Sequence, residues 1–330
     1  MSIIIPVFNN KHLLLDALQS CADQIYKNVE ILVIDDGSTD GLSQAYIENN
    51  GFSVKYYLTQ NRGAGLARNY GLSRASGEYV FFLDSDDTNP KRAIADLVSG
   101  ISDLDFVIGK SKRCFIDRFG DFNRSEIWKP ANFAPGSDLK RCITDTLSTN
   151  KLYRLGFLRS NEIFFEATAH EDILFICKLF EATERYAVID SFVHHWNVRE
   201  GVRTLSSELT LETLRSRMEV VDSAINQLTD EKLRRIFIRN VINHDLKRYV
   251  NCSKNYKKSE LDELYFRYKK FVEKYWDYLD ADAMPASRKI LLSIESIDLT
   301  QREFLAVSNR RDSFLRRILR SLAEYLKNEP

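Results

Sequence analysis

The 330-residue chain has 47 Lys+Arg and 47 Asp+Glu, a formal net charge of zero that argues against a dedicated nucleic-acid binder. With 44% hydrophobic and 12% aromatic residues it can fill a sizeable core, which excludes intrinsic disorder. No run approaches the roughly 18 apolar residues of a membrane span, and the apolar start lacks the basic region of a signal peptide.

The zero is a sum of unlike parts. Residues 1–201 hold 22 basic and 27 acidic residues, while 202–330 hold 25 and 20. All 13 glycines lie at or before Gly201, so the second part reads as helical and the first as turn-rich. Five cysteines (Cys21, Cys114, Cys142, Cys177, Cys252) are scattered without zinc spacing and read as reduced thiols of a cytoplasmic protein.

In chain order, Ser2–Phe8 is a continuous apolar run of buried-strand type. Lys11–Asp23 has a helical apolar face, and Glu30–Ile34 is a second strand that stops at Asp35-Asp36-Gly37-Ser38. Thr39–Asn49 reads as a helix, Val54–Leu58 as a strand and Gly65–Ala75 as a helix. Tyr79–Leu83 is a strand stopping at Asp84-Ser85-Asp86-Asp87. Pro90 fits the first turn of a helix to about Ser99, and Phe106–Gly109 is a fifth strand. Alternating strands and helices predict an α/β fold with a mostly parallel sheet, whose ligands bind at the carboxyl ends of strands. Both acidic clusters fall at such ends. Further on, 205–221, 231–249 and 259–279 have helical periodicity, the last rich in aromatic residues.

Three carboxylates delivered to one point by a buried strand are costly unless a cation sits there, and Mg²⁺ or Mn²⁺ suits oxygen donors. The same residues also read as an Asx-type turn capping the next helix. Asp35 and Asp36 pose the same choice between a turn and a carboxylate that recognises a ribose or base. The stretch Asn61 to Gly71 is Gly-rich with Arg62 and Arg68, but it is neither G-x-G-x-x-G nor a Walker loop.

Four segments occur in order: Ile-Ile-Pro-Val-Phe-Asn (4–9), Val-Ile-Asp-Asp-Gly-Ser-Thr-Asp (33–40), Asn-Arg-Gly…Ala-Arg-Asn-Tyr-Gly (61–71) and Gly-Glu-Tyr-Val-Phe-Phe-Leu-Asp-Ser-Asp-Asp (77–87). Together they resemble glycosyltransferase family 2, densely over the first ~110 residues. The resemblance implies a GT-A fold and use of a nucleotide-diphosphate sugar, here a UDP-sugar. It implies that the backbone around Pro6, Val7 and Phe8 lines the nucleotide pocket. Asp36, with Asp35 behind it, would recognise uracil or ribose, and Arg68 and Ser85 would help hold the donor. Asp84 and Asp86 would form the D-x-D element, Asp86 touching Mg²⁺ or Mn²⁺.

His170-Glu171-Asp172 precedes an apolar helix and resembles the family's Glu-Asp pair, which implies Asp172 as the catalytic base and Glu171 as a secondary or acceptor contact. On the pair alone, a helix N-terminus favouring acidic residues is the preferred reading. Lys151 reads as an acceptor contact or a solvated basic turn. Arg199 reads as a cation for the diphosphate, and His195 as a metal or diphosphate ligand or a buried core histidine. The expected organisation is a catalytic domain over 1–201, its nucleotide half at 1–110 and its acceptor half at 111–201, with a helical region over 202–330. An arginine-flanked amphipathic stretch at 310–327 suits an anionic membrane surface, or another protein surface. The resemblance implies an inverting, β-forming transferase acting on a lipid-linked or surface glycan, such as lipopolysaccharide core, capsule or O-antigen, at the inner face of the membrane. A sugar nucleotidyltransferase and a non-catalytic sugar-binding protein on the same fold remain alternatives.

Overall fold

The computed structural model describes residues 1–128, 138–201 and 210–252, with side chains to 241, and Arg267, Lys270, Phe271, Lys274, Tyr275 and Tyr278 beyond them. The stretch at 310–327, and most of 259–279, lie outside the described residues. The elements are β1 (Ser2–Val7), α1 (Lys11–Ala22), β2 (Glu30–Asp35), α2 (Gln44–Asn49), β3 (Lys55–Leu58), α3 (Ala64–Arg74), β4 (Tyr79–Phe82), α4 (Ala93–Ile101), β5 (Phe106–Ile116) and β6 (Phe122–Ile127). Then follow β7 (Lys151–Arg154), α5 (Leu155–Ser160), α6 (Glu171–Ala182), β8 (Tyr186–Arg199), α7 (Leu211–Gln227) and α8 (Glu231–Cys252).

The sheet runs β3-β2-β1-β4-β7-β5-β6, with β8 on the other side of β5. Strands β1 to β4 pair in parallel, β7 joins antiparallel to both β4 and β5, and β8 runs parallel to β5. This is the mixed but mostly parallel sheet of a GT-A fold. Strand β1 is buried throughout because it lies centrally with helices on both sides, which is why its run is continuously apolar. Pro6 is tolerated there because the β4 pairing ends opposite Ile4, so its missing N–H breaks no bond on that side. Met1, Ile3, Ile5, Leu14, Leu18, Val33, Phe81, Leu97 and Val107 form one packed layer of the core.

Helix α3 lies hard against β1. A Cβ on Gly71 would stand 2.5 Å from Ile4 Cγ2. One on Gly65 would stand 2.9 Å from Glu171 Cγ and 3.0 Å from the Glu166 carbonyl. These glycines allow α3 to touch both the sheet and the segment leading into α6.

Three boundaries differ from expectation. Helix α2 starts at Gln44, not Thr39. Asp40 accepts from the amides of Lys11 and Leu42, Gly41 has φ +83°, and Ser43 caps Tyr46, so 38–42 is a side-chain-bonded loop. Helix α4 begins at Ala93, with Pro90 in the turn before it, its carbonyl accepting from Ala93 N. Strand β5 continues seven residues past Gly109 because both β6 and β8 pair with that extension. The first compact unit comprises Met1–Arg203 and Ser223–Leu233, so the end of α7 and the start of α8 belong with it. No helix among the described residues is long and apolar enough to cross a membrane.

Candidate active site

The parallel register brings the carboxyl ends of β1, β2 and β4 side by side, and with them both acidic turns. Pro6 and Val7 end β1 in the sheet, and Phe8 projects outward, 47% exposed. The Val7 carbonyl accepts from Asp36 N at 2.8 Å, fixing the β2 turn to the end of β1. Asp35 is fully buried, accepting from Ser38 N and the Tyr56 hydroxyl. Burial and that carboxylate push the Tyr56 phenol pKa up. Asp36 accepts from Arg62 N and Gly63 N at 3.0 and 2.7 Å, which shapes the loop entering α3. Gly63 has φ +94°, as the start of that helix requires.

The 84–87 segment is a tight turn, Asp87 N donating to the Asp84 carbonyl. Ser85 is buried and accepts from Asn10 Nδ2, so its side chain braces the loop after β1 and is not presented to a ligand. Burial, together with Asp87 and Asp84, pushes the Asp86 carboxyl up to about 7. Its main chain is clamped by β8: the Asp86 carbonyl accepts from Arg199 Nη1 at 2.6 Å and Asn197 Nδ2 at 3.1 Å. Thr88 also bridges to His195 through two main-chain hydrogen bonds.

Two residues that the sequence did not single out complete this anchor. Asp87 is buried against His194, Oδ2 to Nε2 at 2.9 Å, and its Oδ1 accepts from Asn197 N. The other nitrogen of His194 lies 3.2 Å from the Ser111 hydroxyl. Adjacent residues of a strand face opposite ways: His194 meets the turn through Asp87, while His195 shares the strand face of Asn197 and Arg199, whose side chains hold the Asp86 carbonyl. His195, expected as a metal ligand, makes no side-chain hydrogen bond or ion pair among the described residues. Burial, with His194 and Lys112 nearby, pushes it down to about 4. A neutral imidazole without a competing partner suits the metal or diphosphate contact expected of it.

Arg68 is buried and sits between the two catalytic halves. Its Nη2 is 2.6 Å from Asp84 Oδ1, its Nη1 is 2.6 Å from Glu171 Oε1 and 3.9 Å from Asp172 Oδ1, and its guanidinium lies over Phe165. The guanidinium is engaged by two carboxylates, Glu171 lying 103 residues away in sequence, and these contacts hold it beside the acidic turn where its donor role was expected. Glu171 is correspondingly a partner of Arg68, pointing inward.

Asp172 lies in the first turn of α6, after His170 in the left-handed region at φ 63°. Its Oδ1 is covered and without a hydrogen-bond partner, while the side chain as a whole keeps 28% exposure. Burial raises its pKa to about 7 against the pull of Arg68, with Glu171 and Asp84 adding to the rise. A carboxylate so poised, partly open and undersatisfied, can accept a proton from an incoming hydroxyl.

Lys151 is corrected most sharply. It is fully buried, its ammonium bonded to the Asp145 carboxylate and carbonyl, the Leu147 carbonyl and Asn150 Oδ1. With that many partners inside the protein it serves the fold, and it reaches no acceptor.

Among the described residues no three His, Cys, Asp or Glu side chains gather to hold a metal. Asp84 and Asp86 nevertheless fit Mg²⁺ or Mn²⁺ as a sparse, hard-oxygen donor pair, the kind that leaves most of the shell to water and phosphate. Asp86 is raised first by burial and then by Asp87 and Asp84, and a cation at that point would offset both. A concavity of about 420 Å³ lined by Gln24, Tyr26, Phe52 and Lys55 lies at the opposite, amino ends of β2 and β3, away from this chemistry.

An α/β sheet whose parallel strands end in two acidic turns, facing a helix-borne carboxylate across a shared arginine, has the layout of a GT-A fold. Residues 2–160 match the Glycosyl transferase family 2 model. It is 30% identical over 231 residues to a poly(ribitol-phosphate) beta-N-acetylglucosaminyltransferase, TarS, of Staphylococcus aureus, covering 67% of this chain and 39% of that protein. It is 28% identical over 315 residues to a poly(ribitol-phosphate) beta-glucosyltransferase of Bacillus spizizenii, covering 91% and 49%. The chain thus spans less than half the length of these two curated relatives. The crystal structure of S. aureus TarS 1-349 in complex with UDP-GlcNAc superposes with a TM-score of 0.69 at 22% identity, covering 99% of this chain and 92% of that one. That likeness shows the fold.

Proposed function

We propose that this chain is an inverting glycosyltransferase that moves a sugar from a UDP-sugar to a hydroxyl of a surface glycan or lipid-linked acceptor at the cytoplasmic face of the membrane. The observation that supports it most is Asp172: a carboxylate held at about 7 beside the acidic donor turn. In this reading Pro6, Val7, Phe8 and Asp36 frame the nucleoside, and Arg199 faces the diphosphate while it holds Asp86. Mg²⁺ or Mn²⁺ at Asp86 and Asp84 would offset charge on the departing UDP. Asp172 takes the proton of the acceptor hydroxyl as that oxygen attacks the anomeric carbon from the face opposite UDP, so an α-linked donor gives a β-linked product. The relatives named for poly(ribitol-phosphate) support a polyol-phosphate polymer beside lipopolysaccharide core, capsule and O-antigen as the acceptor class, with N-acetylglucosamine or glucose as the sugar.

The test is UDP release from UDP-GlcNAc and UDP-glucose with a polyol-phosphate acceptor, with and without Mg²⁺ or Mn²⁺, followed by NMR of the product. A β-anomeric signal and metal dependence are expected. An α product would overturn the single displacement, and absence of turnover with every acceptor would overturn the transfer.

A further inference from the structure

The β5–β6 hairpin and its border with β8 have no part in the chemistry above, yet their surface is distinctive. Residues 110–127 include five basic side chains (Lys110, Lys112, Arg113, Arg118, Arg124) and three acidic ones, inside a 1–201 segment that is otherwise acidic. Lys110 is paired with Asp190, and Arg113 with Glu126. Lys112, Arg118 and Arg124 have no carboxylate partner among the described residues. Each instead lies over an aromatic ring: Lys112 over Phe192 at 4.1 Å, Arg118 over Phe119 at 4.8 Å and Arg124 over Phe115 at 4.2 Å.

Lys112 and Phe192 lie on one face of the β5–β8 border, and the contacts of Arg113 and Arg124 run along the other. Trp128 packs edge-on to Trp196, Arg113 lies over Trp196 and Phe115, and Arg124 also lies over Phe115. The register explains the line, since Arg113 stands opposite Trp196 on β8 and Phe115 opposite Arg124 on β6. Phe119 and Phe122 extend it into solvent, 75% and 64% exposed. The Asp117 carboxylate does not neutralise the tip, because it is spent on the amides of Phe119 and Asp121 that build the turn.

We propose that this line of aromatic faces and arginines docks an extended chain of alternating phosphate and polyol or sugar units, the acceptor of the transfer reading, on which the inference rests. Guanidinium groups suit phosphate oxygens, and a guanidinium held over a ring is oriented without being neutralised. Exposed ring faces suit the C–H surfaces of polyols and sugars. The line leads toward the reaction: Ile116 of β5 stands opposite Arg199, whose guanidinium holds the Asp86 carbonyl. An arrangement strung along strands fits a linear polymer better than a bilayer, which would favour apolar residues gathered at the tip and exclude Asp121.

The experiment measures binding of the full chain to a synthetic polyol-phosphate oligomer, to dextran and to phosphatidylglycerol vesicles, for the wild type, Arg118→Ala, Arg124→Ala and the charge-keeping Arg124→Lys. UDP-sugar affinity is measured in parallel as a check of folding. The expected result is binding to the oligomer over dextran, weakened about tenfold per arginine removed, largely kept in Arg124→Lys, with UDP-sugar affinity unchanged. Equal oligomer affinity across the variants, or no preference over dextran, would overturn the proposal. Loss confined to vesicle binding would overturn it too and assign the surface to the membrane. Arginine-dependent oligomer binding in a protein that transfers no sugar would leave this surface standing and sink the transfer reading instead.

Discussion

Replacing Arg68 by Met removes a cation that joins the 84–87 turn to the start of α6. The guanidinium is buried, with two contacts of 2.6 Å and one of 3.9 Å, and its partners Asp84, Glu171 and Asp172 have side chains 37%, 18% and 28% exposed. Breaking a fully buried pair costs about 3–5 kcal/mol, whereas an exposed pair contributes about 0–1. With an enclosed arginine and partly wet carboxylates, about 2–3 kcal/mol is expected, which lowers Tm by about 5–10 °C for a domain of this size. The sign of the pH dependence follows from Asp172. Its folded pKa of about 7 lies above the unfolded value, so the folded state holds the extra proton and loses stability as pH rises toward 7. Arg68 pulls that pKa down, so in its absence the loss continues to higher pH. Thermal unfolding at about pH 6 and about pH 8 should therefore show a larger Met deficit at the higher pH, and the rising limb of kcat should move upward. A Tm change within about 2 °C, or a deficit that does not grow with pH, would refute the reasoning.

Asp172→Asn should lower kcat by about 10²–10⁴ while UDP-sugar affinity, read by calorimetry, stays near wild type. The wild-type rate should climb as pH rises through about 7, the value for Asp172, because the base must lose its proton to act. Lys151→Met should destabilise by about 3–5 kcal/mol, because the fully buried Asp145 is left unpaired, and urea unfolding should show partial recovery in the Asp145→Asn double variant. An unchanged midpoint together with a raised acceptor KM would contradict the burial. Gly71→Ala should cost about 1–2 kcal/mol, because the new methyl collides with Ile4 by more than the gain in helix propensity offsets, and denaturant midpoints will measure it.

What was legible beforehand follows from locality. The strand-end carboxylates Asp35, Asp36, Asp84 and Asp86 could be placed because an apolar run followed by an acidic turn is a short-range signal. The Glu171-Asp172 pair was placed by its resemblance to the family's Glu-Asp pair, since position alone favours a helix start. The partners of Arg68, Lys151 and His194 were not legible, because each depends on contacts made only by the fold. Arg68 meets Glu171 across 103 residues, and His194 meets Asp87 across 107. Which of two adjacent histidines meets Asp87 depends on the register of β8, which a sequence of mixed His, Trp and Asn does not reveal. Lys151 looked like a surface cation because an ammonium is rarely enclosed, and only the Asp145 pocket makes it tolerable.

The junction between α3 and the stretch before α6 bears on how such enzymes diversify. Asn69 donates to the Phe165 carbonyl at 2.8 Å and accepts from Phe165 N at 2.9 Å, while Gly65 leaves no room for a methyl beside Glu171 and Glu166. The early and late segments of the domain are therefore keyed to each other by an amide clasp and a missing side chain. Exchanging the late segment for that of another transferase, to alter what is glycosylated, succeeds as a graft only when the donor of that segment brings the same spacing from its own Phe165 equivalent to its acidic pair. Swap points chosen within 160–172 should yield insoluble chimeras, whereas those placed in the hairpin turn at 117–121 leave the lock intact.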